Sequence, residues 1–150
     1  MEIVLYQPEI AGNVGAIIRL AANTGIPLHV IETKIIQFDE VKIKRAGLDY
    51  HDIANVTKHD NWGKFKNENL EQKNILITSS KAEKIYWEKD LSKTDYIIFG
   101  SESIGLPESI IREYREGMIT IPMDSQSRSI NLANAVSIIS YEYLRQKESK

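Results

Sequence analysis

The sequence predicts an α/β fold in which a mainly parallel sheet is flanked by helices. Short apolar runs recur along the chain, and segments with helical spacing lie between them. No repeat or linker divides the 150 residues, of which 42% are hydrophobic, so we expect a single domain over residues 1–150. The candidate strands are residues 3–6, 28–31, 75–78, 96–99 and 118–121, with a weaker candidate around Val56.

The first two apolar runs enclose a predicted helix. Gly25 and then Pro27 follow it as stop signals, so the opening of the chain is predicted to be βαβ-like. The apolar positions with helical spacing are Val14, Ile17, Ile18, Ala21 and Ala22.

The last segment is predicted to be a long helix that ends near Arg145. Ser129 or Asn131 is placed to cap its start. Residues 57–73 are polar and are predicted to form a helix and loops at the surface. The apolar face of the last helix comprises Leu132, Ala135, Val136, Ile139 and Tyr143.

Composition excludes several classes of protein. Without cysteine there is neither a disulfide framework nor a thiolate metal site. The net charge of −2 argues against coating nucleic acid by bulk electrostatics, so any RNA contact has to use a local patch. The amino terminus lacks a basic, apolar leader and the apolar runs are too short to span a bilayer, so we expect a cytoplasmic protein.

Glycine, proline and polar residues concentrate in three loops, 8–15, 100–107 and 122–131. Each follows a predicted strand, and ligands of open α/β sheets bind beyond the carboxyl ends of strands. After the first loop, Gly15, Arg19 and Asn23 recur on the polar face of the helix, where the guanidinium of Arg19 can meet a phosphate or hydroxyl. The alternative is an ordinary surface arginine.

The second and third loops have both ligand-binding and purely structural interpretations. The second lacks the G-x-G-x-x-G, Walker A and G-x-S-x-G patterns, and is either a ligand cradle or a strand-to-helix turn with Pro107 at the helix start. The third is hydroxyl-rich and either binds a ligand at a helix start or simply caps that helix.

Histidines and basic residues offer weaker signals. His29, His51 and His59 lack metal-ligand spacing, so no metal is expected. Basic residues at positions 42, 44 and 45 lie near Tyr50 and His51, a pattern typical of a small RNA-binding patch or of a solvated helix face.

In this order, the three loops resemble the three motifs of the SPOUT methyltransferases, in the branch that methylates ribose 2'-hydroxyls. Residues 4–25 are similar to the first motif, 100–107 to the second, and 121–123 with 127–136 to the third. Residues 45–51 resemble the subgroup that modifies the tRNA wobble nucleotide. Ala11-Gly12, Val14 and Ala133 depart from prolines, a threonine and a serine common in the family.

The resemblance implies a C-terminal trefoil knot, a homodimer with the site at its interface, and S-adenosylmethionine as cofactor without a metal. The implied reaction methylates the 2'-hydroxyl of a wobble cytidine or 5-carboxymethylaminomethyluridine in tRNA, in leucine tRNAs, and releases S-adenosylhomocysteine. Implied cofactor contacts are Thr78, Gly100, Ile121 and Ser129, with Met123 and Leu132 closing the adenine pocket.

The resemblance also assigns catalytic and RNA-binding residues. Arg19 is expected to bind the RNA backbone and help activate the hydroxyl, which Asn13, Ser129 and Asn131 orient, with Tyr141 as a further candidate. The implied RNA-binding residues are Arg19, Lys44, Arg45, Tyr50 and His51.

Three alternatives stay open at this point. The chain could be a non-catalytic RNA-binding or assembly module on the same fold, or a 2'-O-methyltransferase for another RNA site. A nucleotide-binding oxidoreductase is suggested only by the βαβ start and the glycine loops, and the absence of G-x-G-x-x-G counts against it.

Overall fold

The structure is a computed structural model that describes residues 1–31 and 55–149. This part of the chain contains six strands, four helices and three short 3-10 turns. The strands are β1 Glu2–Tyr6, β2 Leu28–Ile31, β3 Val56–His59, β4 Ile75–Thr78, β5 Tyr96–Phe99 and β6 Met118–Ile119. The helices are α1 Ala11–Thr24, α2 Trp62–Asn69, α3 Glu108–Glu113 and α4 Leu132–Glu148, and the 3-10 turns are Tyr86–Glu88, Leu91–Lys93 and Arg115–Gly117.

The six strands form one sheet in the order β3-β2-β1-β5-β4-β6, and every pairing between them is parallel. β1 lies in the middle, with Leu5 opposite both Val30 of β2 and Phe99 of β5. The predicted α/β class is therefore confirmed. Because all six strands run the same way, the loops after β1, β4, β5 and β6 emerge at one edge of the sheet.

Both faces of the sheet are covered, which explains why the strands read as continuous apolar runs. Ile3 and Leu5 of β1 pack in the core beneath α1 and α4. Val4 points to the opposite face, where it joins Phe65 of α2 and Ile110 of α3. This alternation follows from the two-residue period of a strand.

The predicted strands are confirmed with small changes at their ends. The weak candidate around Val56 is the edge strand β3. The predicted strand 118–121 is shorter, because β6 ends at Ile119 and Thr120 makes only an isolated bridge with Ile85. Residues 57–73 include most of β3 as well as α2, so part of this polar segment is strand rather than helix and loop.

Two helix boundaries differ from prediction. α1 begins at Ala11, so Asn13, predicted in the loop, lies in the helix. Gly15 lies on α1 as its spacing with Arg19 predicted, and the helix ends with Gly25 at its carboxyl cap, also as predicted. α4 starts after Asn131, whose side chain caps it, and continues to Glu148 rather than ending near Arg145. The backbone N–H of Ser149 donates to the carbonyl of Arg145 at 3.1 Å and closes this extra turn. Within the described residues, no helix is long and apolar enough to cross a membrane.

Candidate active site

A cavity of about 550 Å³ opens at the carboxyl ends of the strands, a size typical of small-molecule sites. Thr78 and Phe99, the last residues of β4 and β5, lie in its wall. All six residues implied as cofactor contacts line this cavity: Thr78, Gly100, Ile121, Met123, Ser129 and Leu132. Residues from four separate segments of the chain are thus brought to one site.

The lining combines an apolar floor with polar groups around it. Phe99 and Leu106 are buried beneath the cavity, and Leu132 and Ala135 approach from α4. The Thr78 hydroxyl donates to the carbonyl of Ile98 at 3.3 Å, so its oxygen keeps its capacity to accept a hydrogen bond. A flat apolar ring with polar substituents, such as adenosine carries, fits this lining.

The loop after β5 is tightly folded. Ser101 and Gly105 exchange two backbone hydrogen bonds, of 3.2 and 3.0 Å. Gly105 adopts φ 72°, which glycine tolerates without strain. A Cβ at Gly100 would lie 2.7 Å from Gly105 Cα and closer still to the Gly105 carbonyl carbon and the Leu106 nitrogen, so only glycine fits there. The cradle predicted from these glycines is therefore a rigid hairpin-like turn.

Glu102, in this loop, binds the start of α1. Its carboxylate accepts the backbone N–H groups of Glu9 at 2.8 Å and Ile10 at 3.2 Å. Asn13 Nδ2 donates to the same carboxylate at 2.9 Å. Ile10, the N-cap residue of α1, has no side-chain acceptor of its own, so Glu102 supplies the capping charge from across the sheet.

Burial raises the pKa of Glu102, but its hydrogen bonds have the larger combined effect. Those from Asn13 and from the backbone of Glu9 and Ile10 hold the pKa below its usual value. Glu102 is therefore an ionised hydrogen-bond acceptor at neutral pH and not a proton donor.

A second acidic residue, Glu9 in the loop after β1, accepts hydrogen bonds from the loop after β5. The Glu9 carboxylate accepts from the backbone N–H of Ser103 at 3.0 Å and from the Ser103 hydroxyl at 2.6 Å. The loops after β1 and β5 are thus joined by reciprocal contacts, each donating to a carboxylate of the other. These charge-assisted bonds fix the relative position of the two loops.

Asn13 and Asn131, both predicted as catalytic, are in direct contact. Asn131 Nδ2 donates to Asn13 Oδ1 at 2.8 Å, and Asn131 Oδ1 accepts from the N–H of Asn134 at the start of α4. Both residues line the cavity. The chain of hydrogen bonds from Glu102 through Asn13 to Asn131 therefore joins all three predicted loops.

The remaining predicted residues do not meet the cavity within this chain. Arg19 on α1 and Tyr141 on α4 are exposed, and neither lines the cavity. Helix geometry places Arg19 about 9 Å further along α1 than Asn13 and on a different face. Lys44, Arg45, Tyr50 and His51 lie outside the described residues.

Sequence reasoning missed Glu9 and Glu102 as the residues that join the loops. The available signal was an acidic side chain in each loop, one of them just before a helix whose N-cap residue carries no acceptor. Which carboxylate reaches which loop depends on β1 and β5 being neighbours, and that order is not visible locally.

Sequence reasoning also treated the histidines as scattered, whereas His29 and His59 form a pair. His29 Nε2 lies 2.6 Å from the Glu2 carboxylate, which can only accept, so Nε2 is assigned the proton. With that tautomer, His29 Nδ1 accepts from His59 Nε2 at 2.8 Å, and Phe65 packs against both rings. Burial, and then the neighbouring His29, lower the pKa of His59. The pair does not line the cavity, and no metal-binding group of three is found in the described parts of the chain.

The fold and the cavity define an α/β protein with a ligand site built from three interlocked loops at the carboxyl edge of a parallel sheet. The model of the SpoU rRNA methylase family matches residues 1–141 of this chain. The chain belongs to this family, as its three motifs indicated.

Named relatives and solved structures agree with this membership. The chain is 44% identical over 147 residues to the tRNA (cytidine(34)-2'-O)-methyltransferase of Escherichia coli K12, covering 97% of this chain and 93% of that one. A solved structure described as giving insights into the 2-OH methylation of C/U34 on tRNA is 37% identical, with a TM-score of 0.88 and coverage of 99% and 97%. An AdoMet-bound rRNA methyltransferase from Sinorhizobium meliloti is 25% identical with a TM-score of 0.82, covering 96% of this chain and 55% of that one.

Proposed function

We propose that this chain is an S-adenosylmethionine-dependent methyltransferase that modifies the ribose 2'-hydroxyl of the wobble cytidine or uridine of tRNA. The observation that carries the proposal is the convergence of six implied cofactor residues and two implied catalytic asparagines on one cavity. The activity of the relatives at 44% and 37% identity supports the choice of substrate. Leucine tRNAs are the proposed acceptors.

The cavity suits the cofactor on physical grounds. Phe99, Leu106 and Leu132 offer apolar contacts for an adenine ring, and Thr78 with the backbone around Gly100 offers polar contacts for a ribose. When bound, S-adenosylmethionine supplies a methyl group already activated on a sulfonium. The protein therefore has to align the 2'-oxygen and assist loss of its proton, and neither task requires a metal.

The asparagines orient the acceptor hydroxyl. Each amide nitrogen carries two N–H groups, and each uses one, Asn13 toward Glu102 and Asn131 toward Asn13. The second N–H of Asn131 can donate to a ribose oxygen in the cavity. Asn13 is only 8% exposed and acts mainly by holding Asn131 in place. Ser129, in the same wall, offers a hydroxyl to the cofactor or to the acceptor.

Arg19 and Tyr141 act in the active site of the partner subunit in a homodimer. Both project from the layer formed by α1 and α4, which pack against each other, and neither lines the cavity of its own chain. Pairing of two chains across this layer would carry the side chains toward the partner's cavity. Arg19 then binds the RNA backbone beside the acceptor hydroxyl. Light scattering is expected to give about twice the chain mass of 17.1 kDa, and a monomer that methylates tRNA would contradict the pairing.

The RNA surface is expected to extend to Lys44, Arg45, Tyr50 and His51, which stay sequence predictions. A tRNA substrate supports the cytoplasmic location that we propose. The C-terminal trefoil knot is an implication of family membership. The alternative of an ordinary nucleotide-binding oxidoreductase is wrong, because the chain is a member of a methylase family.

The decisive experiment measures methyl transfer and cofactor binding separately. Purified protein with S-adenosylmethionine and unmodified tRNA should yield a 2'-O-methylated wobble nucleoside, detected by mass spectrometry after digestion. Calorimetry should give the same cofactor affinity with and without a chelator. Cofactor binding with methylation at another nucleotide would indicate a different RNA site. Absence of cofactor binding would favour the non-catalytic RNA-binding module.

A further inference from the structure

Two large apolar side chains stand exposed at the mouth of the cavity. Ile10 is 51% exposed and Ile104 is 76% exposed, and both line the cavity opening. Isoleucine at such exposure contributes little to the stability of the isolated chain, because half or more of its surface stays in water. Exposed apolar groups beside a ligand site are typical of a contact surface for a partner molecule.

The backbone that carries these two side chains is held at a fixed position. Ile10 directly follows Glu9, and its own N–H is bound by Glu102. Ile104 lies inside the turn closed by the two hydrogen bonds between Ser101 and Gly105. The reciprocal contacts between Glu9 and Ser103 then join the two backbones. The exposure of both isoleucines is therefore a feature of a rigid site.

The order of the strands places the two isoleucines side by side. Ile10 follows β1 and Ile104 follows β5, and these strands are neighbours in the sheet. Lys81 follows β4, on the other side of β5, and lines the same cavity. Among the described residues Lys81 has no ion-pair partner, whereas Glu108 of the cavity wall is paired with Arg112. The rim thus has an apolar part over β1 and β5 and a cationic side chain over β4.

A nucleotide has the same division, with apolar base faces and an anionic phosphate. We infer that Ile10 and Ile104 form an apolar clamp that packs against the faces of the target base, while Lys81 attracts an adjoining phosphate. This inference rests on the proposed function, since the base belongs to the nucleotide whose 2'-hydroxyl enters the cavity. Enzymes that modify a nucleotide commonly hold the extruded base between apolar or aromatic side chains.

The clamp explains how one site accepts both cytosine and uracil. The two bases differ in the donor and acceptor groups on their edges, but their faces present nearly the same apolar surface. Aliphatic side chains make van der Waals contacts and read no hydrogen-bond pattern. Ile10 and Ile104 therefore contribute to affinity for a pyrimidine nucleotide without selecting between the two.

The test uses binding as well as turnover. Ile10→Ser and Ile104→Ser remove the apolar contacts, and Ile104→Leu retains them. Trp87→Ser is the matched control, because Trp87 is 53% exposed and lies outside the cavity wall. Fluorescence anisotropy measures binding of anticodon stem-loops, with cytidine or uridine at the wobble position, to full-length protein saturated with S-adenosylhomocysteine. Initial rates give kcat and KM for whole tRNA.

Each serine variant should bind both stem-loops about tenfold more weakly and raise KM for tRNA by a similar factor. Cofactor affinity, kcat, melting temperature and light-scattering mass should stay near wild type, and Ile104→Leu and Trp87→Ser should behave like wild type. Unchanged RNA binding would overturn the clamp, as would a loss confined to one of the two bases. A change in oligomeric mass would instead assign the isoleucines to a contact between subunits.

Failure of the proposed function has a different signature. Wild-type protein would then bind the stem-loops without methylating any tRNA, and the serine variants would still report on the clamp through binding alone. If wild-type protein bound neither stem-loop, the clamp would be overturned together with the choice of substrate.

Discussion

Asn131 Nδ2 donates a hydrogen bond to Asn13 Oδ1 at 2.8 Å, joining the starts of α4 and α1 across 118 residues of sequence. Asn13 also donates to Glu102, so one buried amide connects the three loops that surround the cavity. Removal of the Asn13 side chain leaves the Glu102 carboxylate without one of its donors and the Asn131 amide without its acceptor. The geometry of the site therefore depends on a side chain that is itself almost inaccessible.

Asn13→Ala should lower the free energy of unfolding by about 1–3 kcal/mol, the usual cost of leaving a buried polar partner unsatisfied. It should also slow methyl transfer, because Asn131 and the Glu102 loop lose their common anchor. Urea denaturation and single-turnover rates measure the two effects. Asn23→Ala, at an exposed position of the same helix, serves as the control and should change neither.

The same contact predicts non-additivity. The double variant Asn13→Ala/Asn131→Ala should lose less free energy of unfolding than the two single variants together. Each single variant already breaks the shared hydrogen bond. A double-mutant cycle in urea measures this coupling. Strict additivity would mean that the contact contributes nothing to stability.

Gly100→Ala should destabilise the protein by about 3 kcal/mol or more, because the added methyl would overlap the backbone of Gly105 and Leu106 and no side chain can move aside. Thermal unfolding and cofactor calorimetry are the measurements. The matched control is Gly15→Ala in α1, where a Cβ meets nothing within 4 Å. That change should stabilise the helix by about 0.5–1 kcal/mol. Equal melting temperatures for the two variants would refute the packing argument.

Arg19→Ala should leave folding and cofactor affinity near wild type and reduce methyl transfer by ~10² or more, the usual loss when an aligned charged group is removed. Arg19→Lys should recover only part of the rate, since lysine keeps the charge but not the planar guanidinium. Calorimetry and initial rates distinguish these outcomes. An undiminished rate in the alanine variant would make Arg19 an ordinary surface charge, and full recovery with lysine would reduce its role to phosphate attraction.

The paired histidines predict a pH dependence of stability. The pKa of His59 is lowered in the folded protein, so the unfolded chain binds more protons between that pKa and the ordinary value of about 6.5. The contribution of His59 is fully present above pH 6.5 and is lost as pH falls through its folded pKa. Urea unfolding should show the difference between wild type and His59→Gln shrinking from pH 7.5 to pH 5. A constant difference would mean that folding does not lower the pKa of His59.

Local pattern was enough to predict the secondary structure that carries the site. Apolar runs such as residues 96–99 mark strands buried on both faces, and the spacing of Leu132, Val136 and Ile139 marks one buried face of α4. The errors lie at the ends of helices and strands, where one or two hydrogen bonds decide whether a residue belongs to the element. Just before α1, the N–H groups of Glu9 and Ile10 are bound by Glu102, which is distant in sequence, so no local pattern reports this contact.

What the sequence by itself determined is the α/β class and the position of the three loops, because side-chain period and loop composition are local properties. Only the tertiary structure decided that Glu102 binds Glu9, Ile10 and Asn13, that Asn13 binds Asn131, and that His29 meets His59. These contacts follow from the strand order β3-β2-β1-β5-β4-β6. Strand order depends on how the whole sheet packs between two helical layers. The free energy of that packing is a property of the whole domain, so no local pattern in the sequence predicts it.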